Sequence, residues 1–237
     1  MNNSEKIVLH SIATVHSPFK EKFAVPRQPG LAPSVLSKLV FTKEYASPEC
    51  FLGLDDFSHL WVIFQFHQHV NAGWNTKVRP PRLGGNDKLG VFATRSSFRP
   101  NGLGMSVGKL VSHYAIKDHY CIELSGLDLI DGTPIIDVKP YIQYADAITD
   151  AQSGFAQDCP AHLQVQFSSS ALVTLSGIPT GELLQQQLIE ILQQDPRPAY
   201  KKSRDNERIY GVLFDRWNVQ WQVQEEILTV VSIAEAK

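Results

Sequence analysis

Apolar and polar positions along the first 145 residues fall into short β-branched and aromatic runs separated by Pro, Gly and Asp. No long stretch there carries the i, i+3, i+4 spacing of an amphipathic helix. The runs predict strands at Ile7 to Val15, Leu60 to Phe66, Leu89 to Thr94, Met105 to Val111, His119 to Leu124 and Ile135 to Lys139. Many short strands with no βαβ alternation point to a mainly β unit whose sheet is closed or sandwiched. From about Tyr144 to Gln166 the chain turns to Ala, Asp, Gln, Ser and Pro without apolar period, the pattern of a linker or a wrap over a surface. Beyond it, Leu184, Leu188, Ile191 and Leu192 share one stripe of a helix over Glu182 to Gln194, bounded by Pro179, Gly181 and Pro196. Strands follow at Arg208 to Asp215, Val219 to Gln224 and Glu226 to Ile233, the middle one alternating Val219, Trp221 and Val223 with glutamines. The expected partition is a β unit over residues 1–145, a linker or wrap over 146–166, and a small α+β unit over 167–237.

Composition narrows the class. At 237 residues and 43% hydrophobic, the chain buries a sizeable core, which excludes a disordered protein. With 22 basic and 24 acidic residues, binding to nucleic acid must come from a local basic patch. Cys50, Cys121 and Cys159 are far apart and form no C-x-x-C pair, so neither a zinc knuckle nor a disulfide framework is expected, and a reducing cytoplasm fits. The first residues lack a secretory pattern, and the most apolar run, Leu60 to Phe66, is far short of a spanning helix, so no membrane partner is expected.

The densest positive charge lies between Lys77 and Arg99, where Lys77, Arg79, Arg82, Lys88, Arg95 and Arg99 face the single acid Asp87. Interrupted by Pro, Gly and aromatics, these bases sit on loops and strand ends, either as a solvated rim or as anion contacts. Gly102, Gly104 and Gly108 imitate a dinucleotide-binding pattern, but that motif needs a strand-to-helix turn, and here a β-like run follows Pro100 and Asn101. A ligand-facing irregular loop and an ordinary hairpin loop are the two readings left. On a strand, His67 and His69 would share a face and could ligate a metal, but only His59 is offered as a third ligand, so hydrogen bonding is the expected role. Asp128, Asp131 and Asp137 surround the Gly132-Thr133-Pro134 turn, where a carboxylate caps backbone amides or, in the case of Asp131, receives an amine or ribose or offsets a cationic ligand. Arg197, Lys201, Lys202, Arg204 and Arg208 beside Tyr200 and Tyr210 suit a nucleic-acid loop or a solvated one. The common hydrolase and nucleoside-triphosphatase motifs are absent.

The blocks SPFKEKFAVPRQPG, FSHLWVIFQFHQH, RPPRLGG, GVFATRSSFRPNGLGMS, LDLIDGTPIIDVKPY and QDPRPAY, in this order, closely resemble the TrmO (TsaA-like) family of tRNA methyltransferases over nearly the whole chain. One departure is Pro100-Asn101-Gly102-Leu103-Gly104, where the family often reads Pro-Asn-Pro-Ile-Gly. The resemblance implies a single β-barrel N-terminal domain that binds S-adenosylmethionine, a small C-terminal domain, and a homodimer. It implies methylation at N6 of the threonylcarbamoyl-modified adenosine next to the anticodon of threonine tRNA. Carried onto this chain, the implied cofactor contacts are Pro26, Arg27, Gln28, His67, Gln68, Arg95, Met105, Asp128, Asp131, Gly132 and Thr133. Transfer from a sulfonium is an in-line displacement that needs alignment and a proton acceptor for the weak amide-like nitrogen, for which Asp131 and His67 are the candidates. Arg99, Arg79, Arg82, Arg197, Lys201, Lys202 and Arg204 are the candidate substrate and tRNA contacts. The competing expectations are a non-catalytic tRNA-binding or maturation-assisting module and a His-dependent metal hydrolase.

Overall fold

The computed structural model describes residues 6–84, 87–197 and 206–236. Six strands close into an antiparallel barrel in the order β1 (Ala13–His16), β2 (Leu36–Phe41), β7 (His119–Ser125), β6 (Leu103–Ile116), β3 (His59–Gln65) and β8 (Pro134–Pro140), with β8 pairing back to β1. Side chains alternate across each strand, so one set fills the barrel and the other faces out. In β3, Leu60, Val62 and Phe64 point inward, whereas Trp61 and Ile63 lie on the outer face. Val15, Leu39, Ile122, Leu124 and Ile135 complete the filling. Inside the β3 to β6 connection, β4 (Lys77–Val78) and β5 (Leu89–Gly90) form a short ribbon.

The tail builds a four-stranded sheet, β10 (Asn206–Phe214), β11 (Trp217–Gln224), β12 (Ile227–Glu235) and β9 (Gln164–Phe167), with β9 parallel to β12. Helix α2 (Ser169–Ser176) packs on β12 and on α3 (Gly181–Leu192), whose Leu184, Leu188, Ile191 and Leu192 form the expected buried stripe. Between β8 and β9 the chain holds only a single helical turn, α1 (Gln143–Asp146), and a 3-10 turn at Gly154–Ala156. No helix among the described residues is long and apolar enough to cross a membrane.

The β1 to β2 connection does not belong to the barrel core. Phe19, Ala24, Ala32 and Val35 are buried in the tail cluster, together with Trp221 and Phe214. The Phe23 ring stacks 6.2 Å from Trp221, Phe19 meets Phe214 edge-on at 5.8 Å, and the Asp215 N–H donates to the Pro18 carbonyl at 2.7 Å. Burial of those side chains fixes the connection to the tail sheet, each large one being worth roughly 1.5–3 kcal/mol.

Several elements differ from the sequence expectation. The first strand starts at Ala13, and the run at Leu89 ends after Gly90 in a 3-10 turn, Val91–Ala93. Strands β2 and β9 and helix α2 were not anticipated.

Candidate functional site

Because every neighbour in the barrel is antiparallel, one end collects the C-termini of β1, β7 and β3 and the N-termini of β2, β6 and β8. The connections 17–35, 66–102 and 126–133 therefore meet there. Pro26, Arg27 and Gln28 lie on the first, His67, Gln68, Arg79, Arg82, Arg95 and Arg99 on the second, and Asp128, Asp131, Gly132 and Thr133 on the third.

The short connection 126–133 is sewn to the one at 17–35. The Gly30 N–H donates to the Gly126 carbonyl at 2.8 Å, and a Cβ on Gly126, whose φ is +76°, would lie 3.3 Å from the Gly30 Cα. The Asp131 N–H donates to Phe19 and the Gly132 N–H to Val15, both at 2.9 Å. The Asp131 carboxylate accepts from the Ser17 N–H and pairs with Lys20, again at 2.9 Å each. Partial burial pushes its pKa up, but the Ser17 N–H and the Lys20 ammonium outweigh that and hold it below the ordinary carboxylate value. Asp131 thus serves as the brace of the turn, and a carboxylate so engaged is a poor proton acceptor. The Thr133 hydroxyl closes the same turn by donating to the Ile130 carbonyl at 2.6 Å.

Asp128 faces the other way. It accepts from the Ser106 hydroxyl at 2.5 Å, and burial raises its pKa, partly offset by that hydroxyl and by the nearby Arg95 charge. Arg95 is exposed and donates to the Gln28 side-chain carbonyl. Gln28, Arg95 and Asp128 thus converge from all three connections, with Ser106 of β6 beneath them. A guanidinium, a carboxamide and a carboxylate side by side can hold a zwitterionic ligand.

His67 opens a 3-10 turn, His67–Ala72, and does not continue β3, so the shared strand face expected for His67 and His69 does not form. The turn is set by the Phe66 N–H donating to the Gly102 carbonyl at 2.7 Å. Gly102 has φ +61° and donates its own N–H to Arg99 at 3.0 Å, two features that a proline there could not supply. His69 meets Lys22 Nζ at 2.9 Å through Nε2 and Phe98 edge-on at 4.8 Å. Both histidine pKa values are lowered, first by burial and then by the Lys22 charge. An ammonium against the imidazole repels a metal cation, and among the described residues no group of three or more His, Cys, Asp or Glu could hold one.

Other expected residues stand apart. Met105 lies near the start of β6 at the same barrel end, but it is 60% exposed on the outer face, opposite to the neighbouring Ser106 that bonds Asp128. Arg197, read as a tRNA contact, is buried and gives a bidentate pair to Asp195 at 2.8 and 3.1 Å, so its guanidinium is engaged inside the protein. Arg82 donates to the Asp158 carbonyl in the 146–166 segment, Arg79 is exposed, and Arg99 donates to the Thr94 carbonyl at 3.2 Å. Pro26 is buried, while Arg27 and Gln68 are exposed. Lys201, Lys202 and Arg204 lie outside the described residues. Lys20, Lys22 and Ser106 were missed by the sequence reading. The two lysines stand inside the SPFKEKFAVPRQPG block, but only the fold shows one facing Asp131 and the other the histidines.

Comparison with known proteins gives the arrangement its context. The model of the tRNA-methyltransferase O N-terminal domain matches residues 14–147, and that of the TrmO C-terminal domain matches residues 160–236. A tRNA (adenine(37)-N6)-methyltransferase of Escherichia coli is 45% identical over 219 residues, covering 90% of this chain and 92% of that protein. A Pseudomonas aeruginosa protein named as an S-adenosylmethionine-dependent methyltransferase is 42% identical, covering 94% and 96%. A crystal structure of TrmO from P. aeruginosa superposes with a TM-score of 0.78 at 35% identity over 98% of each chain.

Proposed function

The chain belongs to the tRNA-methyltransferase O family, and from that premise we propose which of its residues do the family's chemistry and on which base. It is an S-adenosylmethionine-dependent methyltransferase that acts on N6 of adenine 37 in tRNA. The cofactor supplies a methyl group made electrophilic by the sulfonium to which it is attached.

The donor set at the barrel end fits such a ligand. Arg95 is placed to take the carboxylate of the methionyl part, and the buried carboxylate of Asp128 to accept from its ammonium or from the ribose hydroxyls. Gln28 holds Arg95 in place, and the backbone of 126–133 offers a close approach. Asp131 keeps that turn against 17–35 through Ser17 and Lys20. His67, kept neutral by burial and by Lys22, is the group that takes the proton from N6 as the new bond forms.

The acceptor is N6-threonylcarbamoyladenosine in threonine tRNA. Its carboxylate is the feature that separates it from bare adenosine, and this end of the barrel carries Lys22 and Arg99 without a carboxylate partner on either among the described residues. The cations of Arg79 and Arg82 extend the approach path for the RNA backbone, and Lys201, Lys202 and Arg204 are, by residue type, further contacts to it. The protein acts as a homodimer. On the outer barrel face Trp61 pairs across from Val107 and Ile63 from Met105, an apolar strip suited to a second copy.

The observation that carries this reading is the convergence of Gln28, Arg95 and Asp128 from three separate connections. Its test is methyl transfer from labelled S-adenosylmethionine to threonine tRNA with and without the threonylcarbamoyl group. Label should enter only the modified RNA, at N6. Equal labelling of both RNAs would sink the assignment of the acceptor, and no labelling of either would sink the reaction.

A further inference from the structure

Helix α3 presents two faces. One is the leucine and isoleucine stripe already described. The other carries Gln187 and Glu190, three apart, and Gln194, four residues on, follows just past the helix end on the same side. A pattern of this kind reads as solvent-facing, yet Glu190 is only 6% exposed. A carboxylate is costly to bury unless donors replace its water. Here Ser34 supplies its N–H at 2.8 Å and its hydroxyl at 2.5 Å, and Gln186 supplies a third donor at 2.9 Å. The flanking glutamines add to the same contact, Gln187 donating to the Ser34 carbonyl at 3.0 Å and Gln194 to the Leu31 carbonyl at 3.2 Å.

All three side chains therefore grip residues 31–34. That stretch follows directly on Gln28 and on Gly30, whose N–H reaches Gly126 in the turn that carries Asp128. On the other side of Gln28, Phe19, Phe23 and Ala24 are packed into the tail cluster. Gln28 and its neighbours are thus held from both ends by the tail, in addition to the contacts that the barrel makes at Phe19, Gly30 and Pro33.

We infer that Glu190 is a positioning residue for the cofactor, acting through Ser34, and that the tail unit sets cofactor affinity by fixing the 26–34 stretch over the barrel end. The inference rests on the cofactor site proposed above. A hydrogen bond to a charged acceptor in a buried setting is strong, and its loss is felt where the loop must be preorganised. In Glu190→Gln one acceptor oxygen becomes a donor facing the donors of Ser34 and Gln186, while size and packing are kept.

The test is calorimetric binding of S-adenosylhomocysteine to the full chain, for the parent and for Glu190→Gln, Ser34→Ala, their combination and Arg95→Ala, beside melting temperature, tRNA affinity without cofactor, and steady-state kinetics. Glu190→Gln should weaken S-adenosylhomocysteine about tenfold and raise the KM for S-adenosylmethionine, with tRNA affinity unchanged and kcat retained at saturating cofactor. Ser34→Ala should act in the same direction more weakly, and the double variant should be no worse than Glu190→Gln alone. Unchanged affinity in Glu190→Gln while Arg95→Ala is impaired overturns the inference and leaves the cofactor site standing. Unchanged affinity in Arg95→Ala overturns the site, and the inference with it. A lower melting temperature and kcat with parental affinity would make Glu190 merely structural. Should Glu190→Gln fail to fold, Ser34→Ala decides, and parental affinity there overturns the proposal.

Discussion

Asp131 and His67 enter from the sequence as equal candidates for the proton acceptor, and their surroundings separate them. Asp131 already binds Lys20 and the Ser17 N–H, which favour its charged form and leave it little basicity. His67 sits partly buried beside Lys22, so its neutral form persists to lower pH than in a free imidazole. An imidazole must be unprotonated to act as a base, hence kcat/KM should rise as pH climbs through a midpoint below the ordinary 6.5 and be flat at neutral pH. In His67→Asn that limb should vanish, with kcat lower by roughly 10²–10⁴. In Lys22→Met it should move to higher pH, because a neighbouring positive charge has gone. A limb that survives His67→Asn would hand the role to another group.

At the scale of elements, the glycines of β6 show how tightly the strand that carries Ser106 is built. A Cβ on Gly104 would fall 2.3 Å from the Phe64 ring, and Phe64 in turn leans on Phe66 at 5.0 Å, next to His67. Gly104→Ala should cost about 1–3 kcal/mol in a denaturant titration through overpacking. Gly90→Ala, with open space around it and an ordinary backbone angle, should change stability by less than about 0.5 kcal/mol. Equal losses at the two sites would mean that the Phe64 contact does not matter. The same local detail explains what the sequence hid. β2 escapes notice because Ser37 points in and Leu36 points out, so its polarity runs against the period-two rule. Ile7, Val8 and Leu9 look like a strand but precede the first strand and stay exposed. After the buried Val91, Phe92 and Ala93 are both exposed, a succession that breaks the alternation of a strand and fits a 3-10 turn. α2 buries only Ala171 and Leu175, too sparse a stripe to read, and its one signal is the Ser168 hydroxyl capping the Ala171 N–H. β3 was legible because its burial alternates on a single face, and α3 because its leucines and isoleucines form one stripe. Within the site, residue types and their blocks were legible, whereas the facing of Asp128 on Arg95 and of Asp131 on Lys20 depends on connections distant in sequence.

For the whole molecule, charge and apolar surface are unevenly spread. Cations gather in the β3 to β6 connection, while the outer barrel face between β3 and β6 is apolar at Trp61, Ile63, Met105 and Val107. If that strip joins two copies, Met105→Glu should convert the protein to a monomer in light scattering without lowering its melting temperature, since the side chain is 60% exposed in the single chain. A dimer that tolerates the glutamate would move the interface elsewhere.

The insertion of Phe19, Phe23, Ala24, Ala32 and Val35 among the side chains of the last three strands also orders events during synthesis. The ribosome extrudes β1 to β8 well before β10 to β12 emerge, so the nascent barrel lacks the aromatic bed on which its Gln28 loop lies. On the inference that the tail fixes this loop, a polypeptide halted before the final hairpins should hold the methyl donor more weakly than the full chain.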